Sequence, residues 1–545
     1  MFARIKKSGP YEYLQIVENR REGNKTRQRV IAHLGSVSEL REKGQLEPLV
    51  RSLARFSEKA LLVLSARGDA RATGTRIGPS LIFGRLWEEL GIRKAIHARL
   101  RDRKFGFDVE RAVFLTVLHR LFVSGSDRSC EKWKENHRIE GSEDLSLHHL
   151  YRAMAFLGEE AEDQRDATPF SPRCVKDEIE EALFRRRRDL FTSLDMVFFD
   201  TTSLYFEGDG GETLGERGFS KDKRPDLNQM VVGAVLDDEG NPVCSEMWPG
   251  NAADVTTLLP VRDRLKERFY VGECCIVADR GMVSKENLAR LEEENVPYIL
   301  GVRMRKTKEV REEVLSRAGR YREVHREGAP KDPDPLQVKE VLVEDRRYIV
   351  CCNPKEARKD ARDREMVLES LREKIKKAPG SLVGNSGFRK YLKVKRGNFF
   401  IDEDKVKEDA RYDGKWVLRT NTDLPAETVA LKYKQLLDVE QLFREMKSIL
   451  ETRPIYHQKD EAIRGHVFCS FLALLLKKEL YNRLEKTGFL YEWLDIKQDL
   501  EALQEVTVEE SGKKLAVRTE CAGVCGKVFQ AVRVAIPQVI REVPP

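Results

Sequence analysis

Two aspartates stand where strands should end. Asp200 closes the apolar run Met196-Val-Phe-Phe, and Asp279 closes Ile276-Val-Ala. The carboxyl ends of strands in α/β sheets present ligand-binding groups, so each is a candidate metal ligand. Either alone reads more simply as a strand-end Asp capping the next turn; together they require a third acid. The stretch 426–451 supplies one. Leu436, Val439, Phe443, Met446 and Leu450 recur at alternating spacings of three and four, which makes one buried stripe along a helix. At roughly 100° per residue, Tyr433, Glu440 and Lys447 fall on one line beside that stripe. Glu440 also precedes Arg444 by four residues, the spacing of a surface ion pair, and Glu445 lies well round the helix from the line.

Three hard oxygen ligands from two strands and a helix suit a pair of Mg2+ or Mn2+ ions, which favour carboxylates and keep positions open for water and phosphate oxygens. The chemistry such a pair performs best is in-line phosphoryl transfer. One ion acidifies the attacking water or hydroxyl and the other stabilises the leaving oxygen, so no Ser, Cys or His nucleophile is needed. The nine histidines show no ligand spacing, and no glycine motif of the ATP-binding type cradles a phosphate. Cys521-x3-Cys525 has a metal-like spacing but lacks a second Cys/His pair, and reads as two small residues at a helix start.

The elements that must position these acids follow from period. Met196 to Phe206, Met230 to Leu236 and Pro242 to Trp248 are apolar strands, with Asp237-Asp-Glu-Gly-Asn as the turn between the last two. A helix from Asp254 to Arg268, a strand Cys274 to Asp279, a helix Ser284 to Asn295 and a strand Pro297 to Val302 complete the order βββαβαβ, a mixed α/β sheet with helices packed on it. Upstream, Tyr11 to Val17 and Gln28 to Leu34 alternate around the charged turn 20–25 and predict a hairpin. Between 78 and 160 the spacing predicts three short amphipathic helices, two of them capped by Asp108 and Ser146. Arg85, Lys94, Arg99, Arg101, Arg103, Lys104, Arg111 and Arg120 make that block either a DNA-binding module or a set of solvated helix faces. Residues 159–172 read as a linker, and a helix from Cys174 to Phe191 ends in the run Arg185–Arg188. From 303 to 425, basic runs at 303–308, 372–377 and 390–396 alternate with strand-like pieces such as Tyr348-Ile-Val-Cys-Cys and Lys415-Trp-Val-Leu-Arg-Thr. This is read as an inserted, partly β subdomain.

Composition bounds the class. With 41% hydrophobic and 35% charged residues, the 545-residue chain supports buried cores under a charged surface, which excludes wholesale disorder and a polytopic membrane protein. The length suits three or four domains at roughly 100 to 200 residues each. The net charge of +7 is too small to identify a partner, because local basic stripes rather than totals make a DNA footprint. The first residues contain no apolar stretch of signal-peptide length and the longest apolar run, Val467 to Leu476, falls short of a spanning helix. The expected location is the cytoplasm, with no membrane partner and no disulfides.

The order βββαβαβ, with Asp200 on the first strand, Asp279 on the fourth and Glu440 on a late helix after an insertion, resembles the ribonuclease-H-like core of DDE transposases. Tyr433-x2-Leu436-x3-Glu440-x6-Lys447 is similar to the Tyr-x2-Arg-x3-Glu-x6-Lys signature of the insertion-sequence-four superfamily, whose members carry a β-rich insertion before the Glu. Asp200-Thr-Thr-Ser-Leu-Tyr-Phe, Asp279-Arg-Gly, Asp413-Gly-Lys-Trp-Val-Leu-Arg-Thr-Asn-Thr, Val439-Glu-Gln-Leu-Phe-Arg-Glu-Met-Lys and Arg453-Pro-Ile-Tyr-His resemble its long bacterial subgroup. The resemblance implies that Asp200, Asp279 and Glu440 hold two Mg2+ or Mn2+ ions, that Lys447 holds a DNA phosphate and that Tyr433 positions the backbone or the Glu. The signature arginine is Leu436 here, inside the buried stripe, so its phosphate contact is absent or comes from a neighbour such as Arg444. Trp416 would stack on an unpaired base at the DNA end or sit in the core.

The implied layout is an N-terminal β-rich region (1–55), an α-helical block (56–165), the ribonuclease-H-like core in two parts (166–302 and 426–490) split by a β-rich basic insertion (303–425), and a C-terminal region (491–545). The implied function is a transposase working at the bacterial nucleoid. It binds the terminal inverted repeats of its element as a homodimer on double-stranded DNA, cuts them and joins the ends to target DNA. The rival readings are a ribonuclease-H-like endonuclease that does not join ends, and a catalytically silent DNA-binding descendant of a transposase.

Overall fold

Runs that are apolar on both faces belong inside a sheet, and those between 196 and 302 form its centre. In the computed structural model, which describes residues 2–22, 25–46, 48–49, 71–168, 171–187, 194–269, 274–325, 333–377, 388, 390–395, 398–510 and 513–543, the strands are Met196–Tyr205, Gln229–Leu236, Pro242–Pro249, Cys275–Ala278 and Tyr298–Val302. Counted along the chain, their order across the sheet is third, second, first, fourth, fifth. The first three are antiparallel, whereas the first, fourth and fifth run parallel. Parallel neighbours need a crossover, which helix Lys285–Glu293 provides between the fourth and fifth. This is the mixed sheet expected of a ribonuclease-H-like core.

The sheet continues past its fifth strand. Lys415–Thr420 pairs antiparallel with Tyr298–Val302, and Arg346–Cys352, Leu336–Val343 and Arg322–Val324 follow, giving nine strands in all. Strands from the stretch read as an insertion thus cover an edge that would otherwise be open. The same stretch holds a 24-residue helix, Pro354–Lys377, where sequence reading found only a basic run. Its Ala, Glu, Lys and Arg content favours helix, but only Leu368 and Leu371 are buried along it, so its apolar period is faint. These two pack with Phe388 and Tyr391. Arg396 and Arg188, which end two of the basic runs, lie outside the described residues.

The chain forms two compact units, Met1–Ile82 with Glu135–Arg138 and Tyr491–Pro545, and Phe83–Lys134 with Ile139–Leu490. The first contains the expected hairpin as Tyr11–Glu22 and Lys25–Ser36, with part of its turn, 23–24, outside the described residues. A further strand, Phe2–Ser8, joins it; that strand is almost wholly exposed and carries no apolar alternation for a sequence to reveal. A four-stranded antiparallel sheet combines Arg71–Arg76 with Gln504–Glu510, Lys513–Arg518 and Ile540–Val543.

Five helices, not three, occupy 78–160: Gly78–Glu89, Ile92–Leu100, Val109–Phe122, Asp127–Trp133 and Leu147–Gly158. Asp108 and Ser146 cap the third and fifth as their positions predict. Val109–Phe122 is buried on every side rather than amphipathic, because Leu147–Gly158 and the long helix Asp460–Lys486 both pack against it. Arg111 and Arg120 of the basic set are therefore internal, bound to Glu110 and to Ser470 Oγ. Arg85, Arg99 and Arg103 pair with Glu89, Glu178 and Glu159. No helix among the described residues is long and apolar enough to cross a membrane.

Candidate active site

Strand register brings the two aspartates level. Phe199 lies opposite Ala278, and Ala278 opposite Leu300. One residue further along, Asp200, Asp279 and Gly301 come abreast on neighbouring parallel strands. Side chains alternate between faces. Phe199, Ala278 and Leu300 point into the core against Leu258, Val261 and Leu265, so Asp200, Asp279 and Gly301 face the opposite side. Leu418 lies opposite Gly301, and Trp416, two residues before it, shares that side.

Helices Ala426–Lys434 and Leu436–Ser448 follow the last sheet strand, Lys415–Thr420. The sequence predicts one continuous helix here. At the junction the Gln435 N–H bonds the Lys432 carbonyl, three residues back instead of four. That tightening breaks the helical phase, so Tyr433 no longer continues the line through Glu440 and Lys447. The predicted stripe of Leu436, Val439, Phe443, Met446 and Leu450 is buried, and this turns Glu440 outward along its edge.

Asp200, Asp279, Glu440, Tyr433, Trp416 and Leu436 line a single cavity of about 220 Å3. The Tyr433 hydroxyl donates to Asp279 Oδ1 at 2.8 Å. Burial, with the Asp279 carboxylate beside it, pushes this phenol far above its usual range, so it stays a donor at any working pH. Gly301 makes the approach possible, because a Cβ there would stand 2.4 Å from the Tyr433 hydroxyl oxygen. Asp200 Oδ1 accepts from the Thr201 N–H at 2.7 Å. Burial foremost, helped by the Asp279 and Asp254 carboxylates, pushes the Asp200 carboxyl up to about 6 against the pull of Lys221.

Asp254 and Lys221 are the residues that sequence reading missed. Asp254 follows the third strand and opens the short helical turn Asp254–Thr256. It accepts from the Thr201 hydroxyl at 2.6 Å and pairs with Lys221 at 3.1 Å. An acid shortly beyond an apolar strand is the signal that singled out Asp200 and Asp279, but here it was absorbed as a helix start. Lys221 lies in the turn-rich 207–228 segment and carries no such signal.

The remaining predicted residues separate. Arg444 is exposed and donates to Gln441 Oε1 at 3.2 Å; among the described residues no ion pair joins it to Glu440. Glu445 pairs with Lys477 at 2.8 Å beside a different cavity, which it lines with Asp438 and Tyr481. Lys447 is mostly buried and bound to Asp222 at 2.9 Å. Cys525 starts the helix Cys525–Val532 as a free thiol that burial pushes upward.

The donors are hard oxygens, which suit Mg2+ or Mn2+, and the Asp200 carboxyl, raised mainly by burial, is a charge that a bound divalent cation would stabilise. As the side chains stand, no three acidic, His or Cys groups among the described residues are close enough to hold one ion. The residues fit the ions in kind and in shared cavity, and ligation requires their side chains to converge.

Comparison with known proteins places this chain in a family. Residues 193–476, more than half of the chain and all of the residues named at the cavity, match the transposase DDE domain. Residues 3–67 match the N-terminal domain of IS1634 family transposases. No curated protein matches the chain. A solved piggyBac transposase synaptic complex with hairpin DNA is similar over 78% of this chain and 79% of its own, at 11% identity and a TM-score of 0.38. The chain belongs to the DDE transposases of the insertion-sequence type.

Proposed function

We propose that this transposase binds the ends of its own element, cuts them by metal-dependent phosphoryl transfer and joins the freed 3′ ends to target DNA, with Asp200, Asp279 and Glu440 as the metal ligands. The observation that carries the reading is the meeting of these acids, from two strands and a helix, at one cavity. When bound, two ions would supply an acidified water or hydroxyl and positive charge for the leaving oxygen. The chain's own groups prepare that site. Tyr433 fixes one oxygen of Asp279 and leaves the other available. The Thr201 N–H orients Asp200 in the same way. Trp416 lines the cavity with its indole partly exposed, a position suited to a base displaced from the duplex. Exposed Arg444, one helical turn beyond Glu440, is the candidate for the phosphate contact that Leu436 cannot make. Bringing two ends together implies a homodimer on DNA.

The test incubates purified wild type and Asp200→Asn with Mg2+ or Mn2+ on DNA carrying the sequences that flank the gene. End-specific 3′ nicks and joined strands from the wild type alone support the reading. Nicks without joining move it to an endonuclease, and tight binding without metal-dependent products moves it to a silent DNA-binding protein.

A further inference from the structure

Asp254 reaches the two aspartates from a fourth element, the turn Asp254–Thr256 that follows strand Pro242–Pro249. One residue ties it to Asp200. The Thr201 N–H donates to Asp200 Oδ1 at 2.7 Å, and the Thr201 hydroxyl donates to Asp254 Oδ1 at 2.6 Å. The other oxygen lies toward Asp279. A Cβ built on Gly281 would stand 3.7 Å from Asp254 Oδ2 and 4.0 Å from Asp279 Oδ2, so both oxygens border the space that this glycine leaves open. After burial, the Asp279 and Asp254 carboxylates are what push the Asp200 carboxyl up.

In the structure Asp254 already holds a cation. The Lys221 ammonium lies 2.7 Å from the Thr201 carbonyl oxygen, 2.8 Å from the Thr201 hydroxyl and 3.1 Å from Asp254 Oδ2, three oxygens around one positive charge. The Lys221 N–H donates to Ser203 Oγ at 2.9 Å, which keeps the lysine beside the same strand. Oxygens that converge on an ammonium also suit a hard divalent cation, and the ammonium rides on a flexible four-carbon stem that can swing away from them. Charge points the same way. Two divalent ions bring four positive charges, of which Asp200, Asp279 and Glu440 answer three; Asp254 supplies the fourth carboxylate.

We propose that Asp254 is the fourth carboxylate of the metal site, joining Asp200, Asp279 and Glu440, and that the Lys221 ammonium is the counter-ion that occupies its outer oxygen until a divalent ion does. This rests on reading the cavity as a metal-dependent centre. Asp254 then has two duties: Oδ1 stays tied to Thr201, and Oδ2 exchanges Lys221 for the ion.

Metal affinity tests this without relying on cleavage. The full-length protein, free of DNA, is titrated with Mn2+ in about 0.5 M salt, which screens charges that act only through solvent. Electron paramagnetic resonance follows the free ion, and melting in EDTA shows whether each variant folds. Asp254→Asn keeps the shape and an oxygen for the Thr201 hydroxyl, and should bind Mn2+ at least about tenfold more weakly. Lys221→Gln takes away the competing charge and should bind it at least about twofold more tightly. Thr201→Val removes the hydroxyl but keeps the N–H and all four carboxylates, and should lose clearly less than Asp254→Asn. Wild-type affinity in Asp254→Asn, or a loss in Thr201→Val equal to that of Asp254→Asn, would reduce Asp254 to a brace for the strand and overturn the proposal. Unchanged or weaker binding in Lys221→Gln would overturn it too, an arm that stands even if Asp254→Asn does not fold. Asp200→Asn that binds Mn2+ as tightly as the wild type would instead sink the reading of the cavity as a metal site, a separate result from any of these.

Discussion

Replacing Asp200 by Asn should stabilise the metal-free protein while abolishing its response to metal. Asp200 is partly buried beside two other carboxylates, and its carboxyl rises from the ordinary 3.8 to about 6 on folding. Such a shift costs the folded state nothing below pH 3.8 and its full amount above about pH 6, because there the folded state must carry a charge the unfolded chain carries more easily. The full amount is about 3 kcal/mol. Asparagine keeps the shape and an oxygen for the Thr201 N–H but carries no charge, so at pH 8 the variant should melt higher. At roughly 1–2 °C per kcal/mol in so large a unit the rise is ~3–6 °C. The gain should shrink toward zero near pH 4. Magnesium should erase most of that difference, since a site filled at about a hundredfold excess over its dissociation constant gains the wild type about 2.7 kcal/mol that the variant largely forgoes. Differential scanning fluorimetry at pH 4.5 and pH 8, each with EDTA or Mg2+, reads all four conditions. A variant that melts below the wild type by the same margin at both pH values, indifferent to metal, would mean that Asp200 is only the cap of Thr201.

Three further outcomes follow from the same geometry. Tyr433→Phe removes the 2.8 Å bond to Asp279 and should slow cleavage about tenfold or more while costing roughly 1–3 kcal/mol of stability; Gly301→Ala, which expels the phenol, should copy its cleavage defect, and unimpaired cutting by either would break the link. Glu440→Gln should lose cleavage with stability changed by no more than about 0.5 kcal/mol, whereas Glu445→Gln should cut normally but melt lower, because Lys477, 5% exposed, loses a partner at 2.8 Å; the opposite pattern in a nicking assay would assign the third acid to Glu445. At metal concentrations below saturation, cleavage should fall as pH drops through about 6, since Asp200 must shed its proton before it can bind an ion; a flat profile from pH 5 to 7 would show that this carboxyl is not a ligand.

What the sequence revealed and what it hid divide along physical lines. The two aspartates were legible because each closes an apolar run: Asp279 follows the end of its strand, while Asp200 lies mid-strand in Met196–Tyr205, just past the last residue paired with that parallel neighbour, and the register sets it beside Asp279. Glu440 was legible because the buried stripe fixes the rotation of its helix. Phase could not be carried back to Tyr433, since one tightened turn at Gln435 resets it. Lys221 and Asp222 were invisible for another reason. They sit in a segment without period, and their partners at 254, 447 and 453 are chosen by tertiary approach. The strands from 322 to 420 were partly recognised as strands, but nothing local says that they would pair with the edge of the central sheet.

The back of the site shows how far charge alone can mislead. Helix Leu258–Phe269 carries Arg262, Arg264 and Arg268, and Val175–Arg187 carries Lys176, Asp177, Glu180 and Glu181, residue types that are mostly exposed in proteins. Arg268 is instead fully buried, meeting Glu180 at 2.7 Å, Glu246 at 3.0 Å and Asp177 at 3.2 Å. Arg264 reaches Glu246 and Asp166 in the same layer. Taking these charges from water is expensive and is repaid only by mutual pairing in fixed geometry. Shifting one helix against the other would therefore strand charges in a dry interior, so the layer resists sliding where a purely apolar interface would tolerate it. That rigidity bears on the chemistry, because the turn holding Asp254 leads directly into helix Leu258–Phe269. One side of the sheet thus fixes Asp254 through a buried ionic layer, the other fixes Glu440 through an apolar stripe, and Lys221 ties the two at the end of the Asp200 strand.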